Sequence, residues 1–198
     1  MLNVKKHSTL TPRHSLVAAD GLISFGLFDD TITTINGRDY DYRTPLGKPA
    51  SRRARRFHYK QFQYFGLVSD ELLIGCAFAD TAYLGMAFFY VFDTRTGELR
   101  EHTWRSPLGR ALTLSDSPLN GESRFRQRDV DITMGYRQSP EGTRRKLLSV
   151  AIPGLTLNAA MDEPTHYQPM SLCTRTGVNG WTYANKVAGV DVAGELHQ

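Results

Sequence analysis

Along most of this chain apolar residues recur at period two, and no segment sustains the 3.6-residue period of an amphipathic helix. The pattern is densest from Phe62 to Trp104. There Leu72, Ile74, Cys76, Phe78 and Asp80 fall on one face of a strand, and Leu73, Gly75, Ala77 and Ala79 on the other. The next strand sets Met86, Phe88, Tyr90 and Phe92 on one side and Ala87, Phe89 and Val91 on the other. A strand that is apolar on both faces is covered on both faces, unlike a strand of a half-solvated meander. The two faces are alike in polarity, so the sequence leaves open which of them lines an interior.

The flanking segments predict more strands. Residues 1–20 read as an irregular arm, followed by a short strand over Leu22–Asp29. Thr31–Ile35 and Asp39–Tyr42 flank Asn36-Gly37, a two-residue hairpin signal. Residues 43–55, with two prolines and an arginine run, read as a loop. Strands follow at Tyr59–Val68, Leu72–Asp80, Tyr83–Asp93, Leu99–Trp104 and Ala111–Leu114. The alternation resumes through Arg124 to Tyr136, turns at Ser139–Gly142, and continues over Arg144–Ile152 and Leu155–Met161. Met170–Thr176, Trp181–Val187 and residues 188–198 complete the series. Turn signals every 8–12 residues or so mark an all-β domain, an antiparallel meander closed as a barrel or a strongly curved sandwich. Such interiors hold small apolar molecules, so the expected partner is one of these. The last residues look like a strand, whose bare edge would call for further chain beyond residue 198.

Composition narrows the class. The chain has 198 residues with 40% hydrophobic and 22% charged content, as in an ordinary globular domain. The expected division is the arm over 1–20 and one β domain over 21–198. A net charge of +4 is spread among mixed signs, which gives no nucleic-acid footprint. The exception is Arg52, Arg53, Arg55 and Arg56, whose readings are a solvated loop or a weak peripheral contact with anionic surfaces. Arg124, Arg126 and Arg128 share a strand face and are expected to point outward, since unpaired buried arginines are costly. No stretch reaches the ~20 apolar residues of a membrane helix, and the N-terminus has no secretory apolar region. Cys76 and Cys173 have no metal-ligand spacing and are read as reduced thiols of a cytoplasmic protein. The six histidines form no metal motif, and no glycine-rich loop precedes a helix, so no metal and no cofactor is expected. The oligomeric state is left open.

Candidate chemistry rests on a few side chains. Asp80 ends an apolar face, where a carboxyl with a raised pKa can serve as a general acid; its alternative role is closing the turn by hydrogen bonds to backbone. Tyr83 and Tyr183 are candidates to orient a substrate beside it. Phe78, Phe88, Tyr90, Phe92 and Trp181 are candidate ligand walls, against the alternative of core packing. Lys186 would balance a buried carboxylate or hold an anionic headgroup, or else lie in water. His166, beside Tyr167 in a loop, is read as exposed rather than as a proton shuttle.

Three segments resemble a known family as a set: the early strand leading to Asn36, the run Ala77-Phe-Ala-Asp-Thr-Ala-Tyr-Leu-Gly85 before Phe88-Phe-Tyr-Val-Phe-Asp93, and Trp181-Thr-Tyr-Ala-Asn-Lys186. The set is similar to the bacterial domain-of-unknown-function family 2804, itself similar to lipocalin-like two-barrel proteins that include carotenoid hydratases and tocopherol cyclase. The resemblance implies a lipocalin-like barrel, with this chain as the N-terminal barrel of two. It implies a lipid, terpenoid or polyene ligand, and it carries over no activity. The expected function is therefore binding of an apolar or amphipathic small molecule in the barrel. The alternative is a hydratase, cyclase or isomerase using Asp80 as acid. Whether the protein is an enzyme stays open at this point.

Overall fold

The computed structural model describes residues 14–29, 32–138, 143–164 and 166–198. The elements in chain order are β1 (Gly26–Phe28), α1 (Arg52–His58), β2 (Gln61–Val68), β3 (Leu72–Asp80), β4 (Leu84–Asp93), β5 (Leu99–Pro107), β6 (Leu112–Thr113) and β7 (Gly121–Gln127). They continue with β8 (Val130–Gln138), β9 (Arg144–Ile152), β10 (Leu155–Glu163), β11 (Met170–Thr176), β12 (Gly180–Lys186) and β13 (Val190–His197). The protein is all-β and antiparallel, as the alternation predicts.

The chain divides into two compact units. The larger spans 56–115, 120–166 and 189–198. It holds a four-stranded sheet, β2-β3-β4-β5, and a six-stranded sheet, β13-β10-β9-β8-β7-β6. Successive strands pair through short hairpins, so the register follows the turns. Between β3 and β4, the Asp80 carboxylate accepts the Ala82 N–H at 2.7 Å and Ala82 takes a positive φ of 72°. Between β4 and β5, Asp93 accepts the N–H groups of Arg95 and Thr96 at 2.8 and 3.0 Å.

The two sheets share one core. Phe65, Cys76, Phe78, Ala87 and Phe89 come from the four-stranded sheet; Phe125, Ile132, Met134, Leu148, Val150 and Leu157 come from the six-stranded one. Phe78, Phe89, Phe125 and Ile132 have no exposed surface. This is a sandwich, and the barrel alternative is not realised: among the described residues the sheets stay open, and no strand of one pairs with a strand of the other. Both sheets have an inward apolar face wide enough to bury the other, so the core closes without the strands closing into a ring.

The smaller unit spans 1–55, 116–119 and 167–188, as far as it is described. It carries the sheet β1-β11-β12 over a separate core of Leu16, Val17, Ile23, Phe28, Ile32 and Cys173. Leu16 and Val17 show that the described part of the predicted arm is anchored. The arm's first thirteen residues, Thr31 and the Ser139–Gly142 turn lie outside the described residues.

Four local expectations change. Asn36-Gly37 is no hairpin, because the Asn36 side-chain amide pairs with Val17 (accepting its N–H at 2.9 Å and donating to its C=O at 3.0 Å) and the chain runs into a 3-10 turn over Gly37–Asp39. The loop over 43–55 gives way to α1, which begins after Ser51, whose hydroxyl accepts the Ala54 N–H at 3.2 Å as a cap. The early strand shrinks to three residues and that near Ala111 to two. Arg124 and Arg126 do point outward, toward Asp131, but Arg128 sits in the β7–β8 turn at a φ of 54°.

Candidate functional site

Register decides what each sheet offers to its surroundings. Most outward positions of the six-stranded sheet are polar, apart from the row Gly135–Leu147–Ala160–Ala193: Arg124 and Arg126 meet Asp131, Arg145 forks onto Asp162 at 2.6 and 2.9 Å, and Ser149 donates to Asn158 at 2.8 Å. Such a face is satisfied in water. The outward face of the four-stranded sheet is the opposite. Cross-strand rows read Phe62–Ala79–Met86–Arg105, Tyr64–Ala77–Phe88–Thr103, Gly66–Gly75–Tyr90–Glu101 and Val68–Leu73–Phe92–Leu99. Phe62 and Val68 are each 70% exposed and Tyr64 49%. A contiguous apolar patch of this kind marks a binding surface more often than not.

The patch has relief. Its floor runs along β3, where Ala79, Ala77 and Gly75 are small. Its walls are the aromatic side chains of β2 and β4, two strand spacings or about 10 Å apart. The open floor from Ala79 to Ala77 measures about 7 Å. Tyr90 closes the far end by lying across Gly75, where a Cβ would come within 2.1 Å of the ring. Tyr64 reaches over Gly66 and its hydroxyl meets that of Tyr90 at 3.2 Å. Partial burial, together with that hydrogen bond, pushes the Tyr64 phenol up to about 12. The trough is thus apolar along its length and ends in a hydroxyl pair.

Phe88, Tyr90 and Phe92 stand together on this face, and Phe88 and Tyr90 are in ring contact at 5.8 Å. Phe78 does not join them: it pairs with Ala87 and is wholly buried on the inward face. Asp80 is in phase with Phe78 and its Oδ1 closes the turn. Tyr83 is 54% exposed and stacks on Phe57, with ring centroids 5.3 Å apart. Tyr183, Trp181 and Lys186 belong to the smaller unit. There Tyr183 shares a 2.9 Å hydrogen bond with Ser171, Trp181 meets Tyr40 edge-on at 5.9 Å, and Lys186 is exposed. Of the α1 arginines, Arg55 reaches Asp41 at 3.4 Å while Arg52, Arg53 and Arg56 are exposed.

A second cluster escaped the sequence reading. At one end of the sandwich, inward-facing Arg144, Lys146 and Glu163 replace apolar core residues. Glu163 stands opposite Arg144 in register and binds it, and Lys146 Nζ lies 2.8 Å from Glu163 Oε1. The Lys146 and Glu163 side chains are only 8% and 6% exposed. The cations rest on aromatic faces, Arg144 over Tyr136 at 5.3 Å and Lys146 over Phe65 at 5.8 Å. Burial and the nearby Glu163 carboxylate push the Tyr136 phenol up to about 12. The signal was present in the phase of the strands: Glu163 continues the inward series Leu155, Leu157, Ala159, Met161, and Lys146 precedes Leu148, Val150, Ile152.

Both thiols are buried, and desolvation pushes Cys76 up to about 12 and Cys173 to about 11. Among the described residues no three His, Cys, Asp or Glu side chains gather as a metal site, and no helix is long and apolar enough to cross a membrane.

The decisive comparison is with a family model, Domain of unknown function (DUF2804), which matches residues 7–198. The chain belongs to this DUF2804 family. No curated protein and no solved structure matches it. The match covers both units of this DUF2804 member, so the aromatic trough and the ionic cluster both lie within the family's domain.

Proposed function

We propose that this DUF2804 protein binds an apolar or amphipathic chain-like small molecule, of the lipid, terpenoid or polyene class, along the outward trough of the β2–β5 sheet. The supporting observation is the contrast between the two sheets: one outward face is laced with ion pairs, while the other is an aromatic-walled trough with a small-residue floor. A single hydrocarbon chain would lie over Ala79 and Ala77, between strands about 10 Å apart, and its burial there would remove apolar surface of Phe62, Tyr64 and Phe88 from water at roughly 25 cal/mol per Å². The Tyr64–Tyr90 hydroxyl pair would receive a hydroxyl or carbonyl end of the ligand. In this reading Phe88, Tyr90 and Phe92 would line an outward trough instead of the barrel interior expected of them, and Phe78 is core. Acid catalysis by Asp80 finds no comparable support, since its carboxylate closes a turn and is out of phase with the trough.

The test has two arms. Protein purified from its own host is analysed by native mass spectrometry, and any retained compound is extracted and identified. Purified protein is then titrated with cis-parinaric acid, a fluorescent polyene fatty acid. Ala77→Leu fills the trough floor and is expected to abolish the fluorescence gain with the fold intact. Unchanged binding in Ala77→Leu, or no retained compound together with no probe binding, would overturn the proposal.

A further inference from the structure

We infer that β2 is a self-association edge, pairing antiparallel with β2 of a second copy of this chain. The order β2-β3-β4-β5 leaves β2 at the rim of its sheet. Among the described residues, none of its outward-directed peptide groups has a hydrogen-bond partner. Exposed edges are ordinarily protected by charge, proline or brevity. The other described edges obey that rule: β5 carries Arg100, Glu101, Arg105 and Pro107, β13 carries Asp191 and Glu195, β12 carries Lys186, and β1 and β6 have three and two residues. The sequence of β2, Gln-Phe-Gln-Tyr-Phe-Gly-Leu-Val, has neither charge nor proline over eight residues. Charges flank it instead, at Lys60, Asp70 and Glu71.

This charge pattern selects the occupant. A neutral strand pairs without opposing a charge only with another neutral strand, and β2 is the one long neutral edge among those described. Two-fold pairing of β2 with β2 consumes both such edges and leaves β5, charged, at each end of the joined sheet, so the assembly closes rather than growing into a filament. Centred on Phe65, the pairing sets Phe62 of one copy opposite Val68 of the other on the outward face. The contact is about 23 Å long, below the size of a standard stable interface, so the dimer is weak and concentration-dependent.

Sedimentation velocity over a concentration series, with circular dichroism as the folding control, tests this. The wild type is expected to show a monomer–dimer equilibrium. Phe62→Lys with Val68→Lys places lysine opposite lysine twice on exposed positions and is expected to weaken the dimer about tenfold or more. Phe62→Glu with Val68→Lys restores opposite charges across the pair and is expected to recover it. A wild type that stays monomeric throughout, a double-lysine variant that dimerises like the wild type, or a Glu/Lys variant that fails to recover association would each overturn the inference.

Discussion

Replacing Glu163 by Gln is the sharpest probe of the sandwich interior. The substitution keeps the shape of the side chain and removes the carboxylate that faces both Arg144 and Lys146. The two cations stay inside, with side chains 15% and 8% exposed. Breaking a buried ion pair by deleting one partner costs about 3–5 kcal/mol, because the remaining charge is left in a poorly solvating site. For a protein of this size that loss lowers Tm by roughly 6–20 °C. The measurement is urea unfolding followed by fluorescence in a Trp181→Phe background, which leaves Trp104, packed against the sandwich core, as the reporter. The companion variant replaces all three charges with Arg144→Met, Lys146→Met and Glu163→Leu. It is expected to be as stable as the parent or more so, since a well-packed apolar set carries no desolvation penalty. A loss below about 1 kcal/mol in Glu163→Gln would mean the charges are solvated and would refute the reasoning.

Neighbouring phenylalanines of β4 should part company: Phe89→Ala is expected to cost about 3–5 kcal/mol by denaturant unfolding because Phe89 is wholly buried, while Phe88→Ala, on the outward face, costs less than half as much. Tyr42, Tyr64 and Tyr136 have phenols raised to about 12, so they ionise late in an ultraviolet titration. Their neutral forms are favoured by folding, so this contribution is whole below pH ~10 and is lost as pH rises from there toward about 12. Asp131 goes the other way: the Arg124 guanidinium holds its carboxyl low, so its contribution is present above pH ~4 and is lost as pH falls through its lowered value, and Asp131→Asn should flatten the acid limb of the stability curve. Cys76 should resist alkylation by iodoacetamide in the native state and react on unfolding, given its burial and raised thiol.

The alternation along the chain determined the strands, their antiparallel order and most of their ends, because a period of two and the turn residues between strands are local properties. It also placed Phe88, Tyr90 and Phe92 on one face. The sequence did not tell which face of a doubly apolar strand meets the core, since both satisfy the same pattern; only the six-stranded sheet packing on Phe78, Ala87 and Phe89 decided that. Nor did it tell that the core closes as a sandwich, which depends on long-range packing between strands far apart in sequence. The Asn36 signal misled because its side chain found Val17, nineteen residues away, in place of a turn of its own. The inward charges at Arg144, Lys146 and Glu163 were legible as a phase but not as a cluster. Their proximity exists only where β8, β9 and β10 lie side by side, and there a carboxylate can shield two buried cations that no single strand could accommodate.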